Sequence, residues 1–296
     1  MSDPDKAAGQ TNSRRWWRRG VLAVAVGAIV AAAFAYAGWL PLGVDAVRSS
    51  FRGLKRQISV SLGYPLPGTP DLSRFQERLN ERGLTLGSPV FVRIFKQEYE
   101  LELWMKQGSR FAHFATYPIC NYSGGLGPKL RQGDRQSPEG FYTVGRSQLN
   151  PNSRWRRSFN LGFPNLLDAS HGRTGGLLMV HGGCASIGCY AMTNAVIDEV
   201  WALINAAFDG GQPQFAVHVF PFRMSDWRMS AYKDAKWAVF WEDLKRGYDL
   251  FEQTRIPPVI SVCNKRYIVS GGDAGSHGES ELRAACPRGH ETAGRG

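Results

Sequence analysis

The sequence predicts a mixed α/β fold, mainly β, with a helical C-terminal extension and an N-terminal transmembrane helix. Three observations carry this. Short apolar-alternating segments separated by turn residues recur between residues 89 and 220. Two long stretches repeat apolar residues at helical spacing, at 191–211 and 234–253. An uncharged run, Val21 to Leu40, has about the ~20 residues that a helix needs to cross a bilayer.

The elements follow in order. Residues 1–20 form a polar, basic tail, and Arg14, Arg15, Arg18 and Arg19 stand directly before the apolar run. Arginines so placed stay on the cytoplasmic side, so the rest of the chain is expected on the periplasmic side of the inner membrane. Residues 21–40 read as an anchor. The alternative is a cleaved signal peptide, since Ala35-Tyr36-Ala37 fits a small-x-small site, which would leave the domain free in the periplasm. Residues 41–70 are a linker: Arg48, Arg52, Lys55 and Arg56 suit a membrane surface or plain solvent, and GYPLPGTP (63–70) ends it.

A catalytic-type domain is expected over 71–223. Asp71 caps a short helix closed by Gly83. PVFVRIF, YELELWMK and RFAHFATYPI then read as an antiparallel meander. The polar, Gly-rich stretch 121–140 is a long loop, and loops of that length in compact domains tend to be functional or disordered. FYTVGR, GGLLMV and PQFAVHVFPF are further strands. The helix between the last two carries Val196, Ile197, Val200, Trp201, Ile204, Ala207 and Phe208 on one face, with Thr193 or Asn194 as its cap. Residues 224–269 form the extension. Trp237, Phe240, Trp241, Leu244, Tyr248 and Phe251 line one face of its helix, and VISVCNKRYIV can add a hairpin. Residues 270–296, rich in Gly, Ser and charge, are expected to be disordered.

The formal charge of +11 favours anionic surroundings such as lipid headgroups or wall polymers. No zinc-finger spacing and no basic stretch interleaved with aromatics points to nucleic acid, which is not expected as a partner. Five cysteines are present, Cys120, Cys184, Cys189, Cys263 and Cys286. In an oxidising compartment an odd number leaves one thiol over.

The chemistry concentrates in HGGCASIGCYAMTNA, 181–195. His181 ends a strand, and Cys189 sits on a Gly-flanked turn leading into a helix. A nearby imidazolium or helix N-terminus lowers a thiol's pKa. Gly182, Gly183 and Gly188 allow close backbone approach, and the N–H groups of Gly188 and Cys189 could hold an oxyanion. Zinc ligation by His181, Cys184, Cys189 and Cys120 lacks the paired C-x-x-C arms usual in structural sites, so no metal and no organic cofactor are expected. Cys184 can pair with Cys120 or Cys263. His171, in DASHGRTGG, is a rival base.

The motif resembles the signature of the YkuD-type L,D-transpeptidases, with His181 followed by Ser186, Gly188 and Cys189. The short interval between His181 and Ser186, with YPICNYSGGLGPK, QGDRQSPEGFYTV, QLNPNS, FNLGFPN and HVFPFRM, resembles the YafK-like branch over about residues 71–225. The resemblance implies a YkuD-like β-rich catalytic domain acting on peptidoglycan stem peptides. Cys189 would attack the meso-diaminopimelate carbonyl and His181 would act as base. Ser186, Gly188 and Gly182 would support the turn and oxyanion. Glu139, Tyr142, Lys129 and Asp134 would bind substrate. Transfer to an amine gives a transpeptidase. Transfer to water gives an amidase of the same bond, for which a wall-attached protein is a possible partner. A non-catalytic anchored wall-binding module is the reading outside enzymes. Tyr190-Ala191-Met192 departs from the IRM-like run usual after the cysteine.

Overall fold

The computed structural model describes residues 56, 58–275, 282–284 and 286. The expected basic tail, the apolar run at 21–40 and most of the linker lie outside them. Among the described residues no helix is long and apolar enough to cross a membrane.

The chain enters through a 3-10 turn, Leu72–Arg74, whose cap Asp71 accepts from Ser73 N, and then helix α1, Phe75–Glu81. The meander follows as β1 (Val90–Phe95), β2 (Glu100–Gln107) and β3 (Arg110–Pro118). Two further strands, β5 (Gly140–Gly145) and β10 (Gln214–Phe220), complete a five-stranded sheet of order β3-β2-β1-β10-β5. Only β1 and β10 run parallel in it.

A second five-stranded sheet carries the site. It is made of β4 (Asn121–Tyr122), β6 (Leu149–Asn150), β7 (Ser158–Asn160), β8 (Met179–His181) and β9 (Tyr190–Ala191), in order β4-β9-β8-β7-β6. The short helix α2 is Leu166–Ser170, and α3 is Asn194–Asp209. Thr193 is the cap of α3, its side chain accepting from Val196 N. Such a bond satisfies one of the orphan donors at a helix start.

All six residues of β1 are buried, where one-sided packing would bury alternate ones. The reason is cover on both faces. Val90, Val92 and Ile94 join a core with Val196, Val200 and Ile204 of α3. On the other face Phe95 packs with Trp241 and Leu244, and Phe91 with Phe251. Trp241, Leu244 and Phe251 belong to α5, Ala238–Thr254, which follows α4, Asp226–Ala231. The expected aromatic stripe is thus turned to the sheet. The extension is not wholly helical: β11 (Val259–Cys263) and β12 (Arg266–Ser270) form the hairpin.

Of the tail expected to be disordered from Ser270, residues 270–275, 282–284 and 286 are described, and several of these are held in place. Arg283–Ala284, strand β13, pairs parallel to β11, and Cys263 is bonded to Cys286. A covalent tether and a free strand edge hold this segment where composition alone predicts none.

His218 of β10 lies fully buried between Phe91 and Phe141, and neither ring nitrogen has a hydrogen-bond partner. Burial first, and the charge of Arg93 beside it, lower its pKa from 6.5 to about 3. The unfolded chain therefore takes up this proton before the folded one does. The contribution is full above pH 6.5 and is lost as pH falls towards 3, by about 1.4 kcal/mol per pH unit. Urea melts at pH 7 and pH 4.5 should show wild type losing roughly 2–3 kcal/mol more than His218→Phe. Equal losses would contradict it.

Candidate active site

Strand register brings the histidine and the cysteine together. β8 and β9 run parallel, with Val180 opposite Tyr190 and His181 opposite Ala191. Val180 and Tyr190 are fully buried and point into the first core. Side chains alternate along a strand, so Met179 and His181 share the opposite face with Ala191 and the preceding Cys189. The Met179 N–H donates to Cys189 Sγ at 3.4 Å, which continues the register one step back. The free thiol and the imidazole are diagonal neighbours on one face. Cys189 is the free cysteine among the described residues.

The imidazole is oriented by its own strand end. His181 Nδ1 lies against the carbonyl of Gly182. A carbonyl only accepts, so Nδ1 carries the proton and Nε2 presents its lone pair. The Trp155 ring stacks beside His181 at 6.3 Å between centroids and 28° between planes. Burial lowers the His181 pKa from 6.5, against the Gly182 bond that raises it. The ring rests neutral.

The thiol departs from expectation. Burial raises the Cys189 pKa from 9.0, opposed by the Met179 N–H and by the charge of Lys129. Helix α3 begins only at Asn194, and the field of a helix end fades within a turn. Cys189 therefore rests as a thiol. Sγ donates to the Leu177 carbonyl at 3.8 Å.

The turn between them is tightly built. A Cβ on Gly182 would sit 2.7 Å from Asn194 Oδ1 and 3.0 Å from the Trp155 carbonyl. Gly188 has φ +98°, closed to most side chains, and its Cβ would press on Leu178. Cys184 is bonded to Cys120, and Cys120 N donates to the Ala191 carbonyl at 2.8 Å. The turn is thus fastened to the edge where β4 meets β9.

Hydroxyls hold the backbone of the cysteine. Ser186 Oγ donates to the Cys189 carbonyl at 2.7 Å, and Ser137 Oγ to the same carbonyl at 3.0 Å. The Gly188 N–H donates to Ser123 Oγ. That corrects one half of the expected oxyanion pair: the Gly188 N–H already has a partner and shapes the turn. The sequence reading gives no individual role to Ser123, Ser137 or Trp155: the two serines stand inside the blocks YPICNYSGGLGPK and QGDRQSPEGFYTV, Trp155 lies outside them, and all three reach the site from distant positions.

The expected substrate-binding residues divide. Lys129 bonds Asp134 and the Arg131 carbonyl, and its charge acts on Cys189. Asp134 accepts from the N–H groups of Leu130, Arg131 and Gln136. Its pKa is lowered to about 2 by these bonds and Lys129, against the larger single effect of burial. This carboxylate orders the long loop. Glu139 and Tyr142 are buried and offer no surface to a substrate. Glu139 is wholly buried against Lys96 and Trp241, and the Tyr142 hydroxyl donates to Asp168. His171 ends α2 with Nε2 3.0 Å from the Lys265 carbonyl, beside the C-terminal hairpin. Leu177 and Ile187 are each 78% exposed; Ile187 stands two residues before the thiol, and Leu177 supplies the carbonyl that accepts from it.

Residues 89–219 match the model of the YkuD L,D-transpeptidase catalytic domain. The chain is 49% identical over 221 residues to YafK of Escherichia coli strain K12, covering 75% of this chain and 85% of that one. The name of that relative assigns it to the L,D-transpeptidases provisionally. The strain O157:H7 protein matches equally. Among solved structures, the helical cell shape determining protein Pgp2 of Campylobacter jejuni is 20% identical, with a TM-score of 0.37 over 61% of this chain and 68% of that one. The 49% identity to YafK over 85% of that protein's length, with the match of residues 89–219 to the family model, is decisive, and the chain belongs to the YkuD family of L,D-transpeptidases.

Proposed function

We propose that the chain is a peptidoglycan L,D-transpeptidase in which Cys189 forms a thioester with a stem peptide and passes it to an amine. The observation that carries this is the β8–β9 register, which sets a neutral imidazole and a free thiol on one face. His181 Nε2 takes the thiol proton as Sγ attacks the carbonyl of meso-diaminopimelate. The Cys189 N–H, fixed by the two serine bonds to its own carbonyl, receives the developing oxyanion. The intermediate collapses when the imidazolium returns the proton to the nitrogen of the departing D-alanine. The acceptor amine then attacks the thioester, loses its proton to Nε2 and frees the sulfur. Lys129 lowers the cost of the transient thiolate. Residues 21–40 would hold the domain where wall peptides are found.

The test is incubation of the protein with purified tetrapeptide muropeptides, reading product masses. Transfer yields dimers lighter than two tetrapeptides by one alanine. Monomers shortened by alanine, with no dimer, would assign water as acceptor and make the chain a hydrolase. Unaltered muropeptides would overturn the proposal.

A further inference from the structure

Three consecutive residues, Ser137, Pro138 and Glu139, join the nucleophile to the C-terminal extension. On one side Ser137 Oγ donates to the Cys189 carbonyl at 3.0 Å, and the Pro138 carbonyl accepts from Tyr190 Oη–H at 2.6 Å. On the other side the Glu139 carboxylate accepts from Trp241 Nε1–H of α5 at 2.8 Å and from the Gly127 N–H at 2.7 Å. Lys96, just past β1, closes the cluster. Its ammonium has three N–H bonds to give and gives them to the Gly127 carbonyl at 3.1 Å, the Ser137 carbonyl at 3.0 Å and Glu139 Oε1 at 3.1 Å. Lys96 and Glu139 are both fully buried.

A buried ion pair is poor value as a source of stability, since desolvation offsets the attraction. It does fix geometry, because all three ammonium protons and both carboxylate oxygens here are hydrogen-bonded. Trp241 lies outside the matched residues 89–219. We infer that Trp241, with Glu139 and Lys96, is a positioning residue for Cys189: the C-terminal helix sets the nucleophile's backbone through the Ser137–Glu139 bridge. The inference rests on Cys189 being the nucleophile. It makes the extension part of the catalytic unit.

A double-mutant cycle on the full chain tests it, with Trp241→Phe at one end and Ser137→Ala at the other. Phenylalanine keeps a ring in the second core and removes only the N–H donor. The readouts are the iodoacetamide alkylation rate of Cys189 and the kcat and KM on tetrapeptide muropeptide, with thermal melts to confirm folding. Each single change should lower kcat and alkylation about tenfold with KM unmoved. The double variant should be little worse than either single one, because both cut the same connection. Effects that multiply, or a folded Trp241→Phe with wild-type alkylation and kcat, would overturn the inference. If Trp241→Phe does not fold, Glu139→Gln takes its place in the cycle with the same readings. Cys189→Ala is run in parallel. Turnover retained there would defeat the nucleophile assignment, whereas the alkylation cycle still reports how the thiol is held.

Discussion

His181→Ala is expected to slow acylation of Cys189 by roughly a hundred- to ten-thousandfold, the usual range for a general base. The size follows from the resting state. Burial raises the thiol pKa above 9.0, so at neutral pH the sulfur keeps its proton. Burial also lowers the imidazole pKa below 6.5, so the ring can take that proton. The two shifts favour the neutral pair over a thiolate–imidazolium pair. The pH dependence has a definite sign. As pH falls through the lowered imidazole pKa, Nε2 is protonated and kcat/KM drops, so the acid limb has its midpoint below 6.5. Alkylation of wild-type Cys189 should rise only in the alkaline range, beyond 9.0. Rates within about twofold of wild type for His181→Ala, or alkylation that titrates near neutrality, would contradict the assignment.

Loss of the Cys120–Cys184 disulfide should have the second largest effect. It spans 64 residues, and in the chain-entropy model a loop of that size contributes about 4 kcal/mol. Its position adds a catalytic consequence. Cys184 lies within the turn that joins His181 to Cys189, and Cys120 is bonded to the carbonyl of Ala191. Without the bond the turn keeps its backbone hydrogen bonds, Cys184 N–H to the Met192 carbonyl and Met192 N–H to the His181 carbonyl, and the serine hydroxyls, but loses its covalent tie to the residue before β4. The double variant Cys120→Ser/Cys184→Ser should therefore lose about 4 kcal/mol in urea melts, and its kcat should fall. A loss below about 1 kcal/mol with wild-type kcat would show that the turn does not need the bond.

Much of this architecture is legible from residue order because local rules dominate there. Alternation and turn residues mark β1, β2 and β3, and helical spacing with Thr193 marks α3. His181 and Cys189 stand out because a strand end, three glycines and a helix start concentrate chemistry in one segment. What is not legible depends on packing between distant segments. Glu139 reads as a cleft residue because its loop is polar, yet α5 covers it and Trp241 takes one of its oxygens. Ser123 takes the Gly188 N–H across the loop, which no spacing in the motif announces. The thiol reads as acidified by a helix, but the helix starts too late and burial decides the direction. The choice of Cys120 as partner of Cys184 needs the β4–β9 pairing, which only the folded chain shows.

Intact-protein mass after brief exposure to tetrapeptide muropeptide tests the covalent step most directly. The account predicts a gain equal to the muropeptide less one alanine, mapped to Cys189 and absent from Cys189→Ala. No adduct on the wild type during turnover, or the same adduct on Cys189→Ala, would contradict it.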